Sequence, residues 1–209
     1  MSQVVYREMV KEDYNCMKEF IGDAFGFNKF IEDKNLLNVV LGSYLQSCIL
    51  ESSFSKICEK DGKVIGFILG GAKADKNNLK CDSIDFFDNV DDVNLILSNE
   101  KNIKELNEFS KIISAYKEII DGFEDEFQGS INLFIVSKES RGLGVGKTLV
   151  KYLNEYMNSM DVKSLYLYTD DRCNYGFYDS QGYKLVNEKD VYLNNIKTHF
   201  NVFLYRYDF

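Results

Sequence analysis

The sequence predicts a mixed α/β fold, a central sheet of about six to seven strands flanked by helices, and three observations carry that expectation. Residues 131–183 read strand, Gly-rich turn, amphipathic helix, strand and short helix in succession, the alternation that builds parallel pairing. Antiparallel hairpin patterns flank that block on both sides. The composition, 45% hydrophobic and 28% charged, supplies a sizeable core and is far from that of a disordered chain. With 209 residues and no compositional break, a single domain over 1–209 is expected.

In chain order, Gln3 to Met9 has strand character, and Asp13 is placed to cap a helix reaching about Ala24. From Ile31 to Leu50 the apolar residues Leu36, Leu37, Val40, Leu41, Tyr44 and Leu45 recur at three- and four-residue steps, which makes a buried helix face. Phe54 to Glu59, the Asp61-Gly62 turn and Lys63 to Leu69 form an antiparallel hairpin, since β-favouring runs flank a short glycine loop. Residues 73–130 then hold 14 Asp and Glu against 7 Lys and no Arg, a net of -7 in a chain whose total is -8. Within them Leu106, Phe109, Ile113, Tyr116 and Ile120 step by three or four, so this acidic insertion carries a helix of its own from about Asn102 to Ile120. Ile131 to Val136 is a strand, Ser137 to Arg141 a polar loop, and the next helix has the face Val145, Leu149, Tyr152, Leu153, Tyr156 and Met160. Ser164 to Tyr168 is a strand and Asn174 to Gln181 a short helix; Tyr183 to Val186, Val191 to Leu193 and Thr198 to Tyr207 close the chain as strands. Proline is absent, so turns come from Gly, Asn, Asp and Ser.

Composition excludes several functions. Asp and Glu number 33 against 25 Lys and Arg, so the basic footprint of a nucleic-acid binder is missing. The longest apolar runs, such as Val64 to Leu69, are too short for a membrane span, and the first residues lack the cationic and apolar regions of a signal peptide. Cys16, Cys48, Cys58, Cys81 and Cys173 are odd in number and contain no C-x-x-C pair, which suits reduced thiols in a cytoplasm and makes structural zinc unexpected. A catalytic triad or a multi-histidine metal site would have to be built around the single histidine, His199, for which a packed or edge-strand role is the plainer reading. No metal is expected.

The segment Ser137 to Thr148 lies between a strand and a helix, where backbone N–H groups and the helix dipole make an anion site. A P-loop needs glycine five residues before Gly146, and that position is Arg141. A dinucleotide loop needs glycine three residues after Gly144, and that position is Lys147. The spacing as it stands, Arg141-x-x-Gly144-x-Gly146, resembles the pyrophosphate loop of the GNAT superfamily of N-acetyltransferases, which bind acetyl coenzyme A. That resemblance implies that the N–H groups of Gly142, Leu143, Gly144, Val145, Gly146 and Lys147 turn toward one diphosphate, with a charge-assisted contact from Arg141. It also sets the strand end Phe134, Ile135 and Val136 against the coenzyme, with an N–H of Ile135 or Val136 facing the oxyanion. Lys138 stands where the family often has proline.

A second block, Phe177-Tyr178-x-x-x-Gly182-Tyr183, looks like the family's F-Y-x-x-x-G-[FY] motif, with Gly182 as the C′ residue of a short helix. Asn174 lies four residues before Tyr178, which on a helix is the same face. The resemblance implies that Tyr178 gives a proton to the leaving thiolate and that Asn174 and Phe177 lie along the coenzyme arm, while Asp171 stands where the family often has asparagine. The reaction so implied is acetyl transfer from acetyl-CoA to a primary amine of a small molecule, peptide or protein. Asp170, Asp171 or an acid of the insertion is the candidate base. Asp121, Glu124, Asp125 and Glu126 form either a guide for a cationic acceptor or a solvated acidic loop. Cys173 reads as a bystander thiol, because no histidine adjoins it. A CoA-binding module without catalysis and a P-loop-like nucleotide-binding protein are the rival functions, and a homodimer stays open. The resemblance covers Ile131 to about Tyr205; the first half matches in layout alone.

Overall fold

The computed structural model describes residues 4–79, 90–140, 142–195 and 197–209. In chain order come β1 (Val4–Arg7), a 3-10 turn (Lys11–Asp13), α1 (Tyr14–Ala24), α2 (Phe27–Phe30), α3 (Lys34–Leu50), β2 (Phe54–Lys60) and β3 (Lys63–Ala72). Then come α4 (Val90–Ser98), α5 (Glu100–Ile120), β4 (Gly129–Val136), α6 (Val145–Ser159), β5 (Ser164–Asp170), α7 (Gly176–Ser180), β6 (Lys184–Leu193) and β7 (Thr198–Asp208). The seven strands form one sheet in the order β1-β2-β3-β4-β5-β7-β6, within the expected number. Every neighbouring pair is antiparallel except β4 with β5.

Helices cover both faces, which is why β3 is buried along nearly its whole length. On one face α6 sets Val145, Leu149, Leu153 and Met157 against Ile68, Ile131, Leu165 and Leu167. On the other, α1 and α3 cover the β1–β4 half with Met17, Ile21, Leu45 and Ile49, and α5 covers the β5-β7-β6 half with Ala115, Ile119 and Ile120. Each large apolar side chain among these contributes about 2 kcal/mol of burial, so removing any one of them opens the sheet face it covers.

Several local expectations change. Asp13 does not cap α1; its carboxylate turns back to accept the Val10 N–H at 2.9 Å and two Arg7 bonds at 2.8 and 2.7 Å, and Arg7 also pairs with Glu59. The cap of α3 is Asp33, which accepts from Asn35 N and Leu36 N, and Asn99 plays that part for α5. On α6, Val150 and Met157 belong to the core while Tyr152 is exposed. The two short strands expected over 183–193 are one strand, β6, bulged at Val186 between the pairs Leu185↔Tyr205 and Asn187↔Leu204. Its polar middle does not break it, because Asn187 donates to the Ile119 carbonyl at 2.9 Å and Lys189 pairs with Glu118 on α5. His199 sits exposed near the β6–β7 hairpin end with Nδ1 2.7 Å from Asp190 Oδ2. Among the described residues no helix is long and apolar enough to cross a membrane.

Candidate active site

The β4–β5 pair opens into a fork. Its register holds only Gly129↔Leu165, Ser130↔Tyr166 and Ile131↔Leu167. Past the third pair β4 stays on β3 as far as Val136, and β5 stays on β7 as far as Asp170, so each outer ladder continues while the central one has parted. The parting coincides with a bulge. Leu69 pairs with Leu133 but Gly70 pairs with Ile131, leaving Asn132 as the extra residue of β4. That residue reverses the facing of the rest of the strand: Ile131, Phe134 and Val136 join the α6-side core, whereas Leu133 and Ile135 join the α1/α3 side. The bulge is anchored by its own polar groups. Asn132 Nδ2 donates to Glu51 O at 2.8 Å and to Ser52 Oγ at 2.9 Å, and Cys48 Sγ donates to Asn132 O at 3.4 Å.

The register separates the backbone directions of Ile135 and Val136. Ser137 N donates to Ile65 O at 2.9 Å, so, two residues earlier, Ile135 also lies on the β3 ladder. Phe134 and Val136 alternate with it and direct their N–H groups into the fork. Val136 thus has the orientation that Ile135 lacks.

At the end of the fork lies the glycine loop. Gly142 and Gly144 take φ of 78° and 70°, where an L side chain is strained, and Gly144 is the N-cap of α6. The first α6 bonds run from Thr148 N and Thr148 Oγ1 to Gly144 O. The N–H groups of Gly144, Val145, Gly146 and Lys147 accordingly donate to nothing among the described residues. Leu143 departs from expectation: its N–H is spent on Ser140 O at 3.1 Å. Val145 is core, so only its backbone serves the loop, while Lys147 is exposed. Arg141 lies outside the described residues.

Beside the loop stands an aromatic platform. A Cβ on Gly146 would lie 3.4 Å from the Phe177 ring and 3.5 Å from that of Phe134, so the loop rests directly on these two residues. Tyr178 completes the group, with ring centroids 6.4 Å from Phe134 and 5.5 Å from Tyr183. It is buried, and its hydroxyl has no hydrogen-bond partner among the described residues. Burial, then Cys173 and Tyr183, push the phenol well above its ordinary range, so it holds its proton at neutral pH. Gly182 has φ of 85° and closes α7, with Tyr183 N bonded to Tyr178 O. Asn174 lies before α7, its carbonyl accepting from Phe177 N, so it does not share a helical face with Tyr178.

A family model described as acetyltransferase (GNAT) family matches residues 17–183. The chain belongs to the GNAT acetyltransferase family. The match takes in β2 through α7, hence the fork, the loop and the platform. Solved GNAT-type structures share the fold at low identity. A variant of agmatine N-acetyltransferase in its apo form matches with a TM-score of 0.62 at 10% identity, over 99% of each chain. The polyamine N-acetyltransferase of Drosophila melanogaster, which forms N-acetylagmatine, matches at 0.57 and 11%, over 99% of this chain and 100% of its own. Ribosomal-protein-alanine N-acetyltransferase from Brucella melitensis matches at 0.53 and 14%, over 98% and 99%. No curated protein matches the sequence.

In this GNAT acyltransferase two of the candidate bases, Asp170 and Asp171, accept hydrogen bonds within the fold. Asp170 is buried and accepts from Arg172 N at 2.8 Å and Arg172 Nη2 at 3.0 Å; Asp171 accepts from Asn201 N at 3.1 Å. In the acidic run, Glu126 pairs with Arg206 at 2.5 Å and Glu124 caps the Gly122 N–H at 2.8 Å, consistent with a structured surface loop. Burial, then Asp170, raise the Cys173 thiol to about 11, which keeps it protonated. Sequence reasoning passes over Glu51. It lines a cavity of about 440 Å³ together with Ser130, Asn132 and Tyr166, and no motif marks it in the sequence.

Proposed function

We propose that this GNAT acetyltransferase, acting as one N-acetyltransferase domain over 1–209, transfers an acetyl group from acetyl-CoA to a primary amine by direct attack. The observation that carries the reading is the β4–β5 fork ending on the N–H groups of Gly144, Val145, Gly146 and Lys147, which have no acceptor among the described residues. Those N–H groups and the positive end of the helix fit a diphosphate, with the side chain of Lys147 beside them. The fork fits a narrow polar arm, because Phe134 and Val136 offer strand-type hydrogen bonds that no β5 partner takes. When bound, acetyl-CoA supplies the acetyl group as a thioester. Val136 N–H is the donor toward developing negative charge, and Tyr178 holds the proton that a departing sulfur requires. Agmatine, polyamines and a ribosomal protein's alanine, named for the structural relatives, make an amine acceptor the reading to test.

A thermal-shift comparison tests coenzyme choice: acetyl-CoA is expected to raise Tm, and Mg-ATP is not. Stabilisation by Mg-ATP alone refutes the reading. Thiol release in the presence of an amine panel tests transfer, and binding of acetyl-CoA without release points to a non-catalytic module.

A further inference from the structure

We infer that Tyr205 on β7 and Asp179 on α7 are a positioning pair: the Tyr205 hydroxyl anchors α7 to the sheet and thereby sets the aim of Tyr178. This rests on the acetyl-transfer reading above, in which Tyr178 gives the departing sulfur its proton. α7 is five residues long, starts without a side-chain cap and lies between Gly176 and Gly182. The backbone bonds at its two ends stay inside 174–183, from Phe177 N to Asn174 O at the start to Tyr183 N to Tyr178 O at the close. Ser180 Oγ also bonds within it, to Phe177 O at 2.6 Å. A helix so short holds no fixed direction by itself.

One bond leaves it. The Tyr205 hydroxyl donates to Asp179 Oδ1 at 3.1 Å, and among the described residues no other side-chain hydrogen bond joins α7 to the sheet. Tyr205 itself is firmly held. It is buried inside the sheet, paired with Leu167 of β5 on one side and Leu185 of β6 on the other. Its ring lies 5.9 Å from that of Tyr178, so one residue of β7 touches the proton donor and also holds the residue next to it. Burial, then Asp179, push the Tyr205 phenol up to about 12, which keeps it a donor at neutral pH. The acceptor is a carboxylate, which makes the bond one of the stronger class. The neighbouring phenol offers no such link: Tyr183 packs on Tyr178 at 5.5 Å, but its hydroxyl is buried with no partner among the described residues.

Tyr178 needs such an anchor. Its own hydroxyl makes no hydrogen bond among the described residues, so ring packing and the set of α7 direct it. An acid transfers its proton only within hydrogen-bond reach, and a displacement of about 1 Å at the donor costs up to about 100-fold in rate. Asp179 is exposed and occupies an unspecified place of the F-Y-x-x-x-G pattern, so neither burial nor motif demands a carboxylate there. The bond to Tyr205 supplies the demand.

Thiol release is measured with agmatine, putrescine and an alanine-headed pentapeptide, and kcat is taken with the fastest of them at saturating acetyl-CoA, where chemistry limits the rate. Tyr205→Phe, which keeps the ring and removes the bond, is expected to lower kcat by about 10-fold. In a Tyr178→Phe background the same change should move kcat by less than about twofold, because no donor is left to aim. Asp179→Ala should match Tyr205→Phe and add nothing to it, and Asp179→Asn, which keeps an acceptor oxygen, should regain most of the rate. Equal losses from Tyr205→Phe in both backgrounds, as a merely structural role predicts, or no loss in the wild-type background, overturn this inference while acetyl transfer stands. Wild-type enzyme that releases no thiol with any of the three overturns both.

Discussion

Replacing Tyr178 by phenylalanine separates a catalytic hydroxyl from a structural one, because the two roles predict opposite changes in stability. The ring packs against Phe134, Phe177, Tyr183 and Tyr205, and phenylalanine keeps all of those contacts. The hydroxyl has no hydrogen-bond partner among the described residues, so its loss breaks no bond there. Stability should therefore stay within about 0.5 kcal/mol of wild type or rise, whereas removing a bonded buried hydroxyl costs about 1 kcal/mol or more. Turnover should fall by about 10²- to 10⁴-fold, the usual worth of general acid catalysis, with acetyl-CoA affinity unchanged. The pH profile adds a sign. Burial raises the phenol above its ordinary value of about 10, so the donor stays protonated and contributes no basic limb below that pH. The assays are urea unfolding, acetyl-CoA titration, and thiol release under conditions where chemistry limits the rate. An unchanged rate under those conditions refutes Tyr178 as the donor, and a stability loss above about 1 kcal/mol refutes the unpartnered hydroxyl.

Gly144→Ala meets no atom within 4 Å but forces φ of 70° on a side chain, so a loss of about 1 kcal/mol by denaturant unfolding and a weaker acetyl-CoA Kd are expected. Cys173→Ser should leave kcat within about twofold, since the thiol sits near 11 and supplies no thiolate at neutral pH; a large drop would reinstate an acyl-cysteine route. Burial opposes ionisation of Asp13, but the Arg7 bonds and the Val10 N–H outweigh it and hold its pKa below the ordinary value. Its stabilisation is therefore present above the unfolded value of about 3.9 and lost as pH falls through the lower folded value. Asp13→Asn should cost about 2 kcal/mol at pH 7 and flatten acid unfolding in that window.

Legibility in the sequence tracks how local each determinant is. The glycines at 142, 144 and 182 are readable because positive φ is a demand on one residue, and all three occupy it. The helix over 102–120 is readable from its three- and four-residue steps, but its buried face is shifted from the expected one: Ala115, Ile119 and Ile120 are in the core while Ile113 is exposed. Asp13 escapes local capping rules because its partner Arg7 on β1, which also binds Glu59 on β2, belongs to a tertiary arrangement of two strands that such rules do not contain. Leu143 is inseparable from its neighbours by sequence, since one N–H of the loop turns inward to Ser140 for reasons of turn geometry alone. Net charge misleads for a related reason. Half of the acids of 100–130 meet this chain's own cations, Glu105 with Lys101, Glu108 with Lys111, Glu118 with Lys189 and Glu126 with Arg206.

The bulge at Asn132 joins fold to site. The pattern Ile131-Asn132-Leu133-Phe134-Ile135-Val136 reads as plain alternation, which would set 131, 133 and 135 on one face. One unpaired residue breaks that rule, so that Phe134 and Val136 face α6 while Leu133 and Ile135 face α1 and α3. Without it Phe134 would leave the platform beneath Gly146 and Ile135 would enter it, and the ladder to β5 would have no register-based reason to stop at Ile131. The side chain that fills the bulge also satisfies a backbone carbonyl at the end of α3, since Asn132 Nδ2 donates to Glu51 O. Opening of the strands and placement of the aromatic platform thus share one cause, a single extra residue in β4.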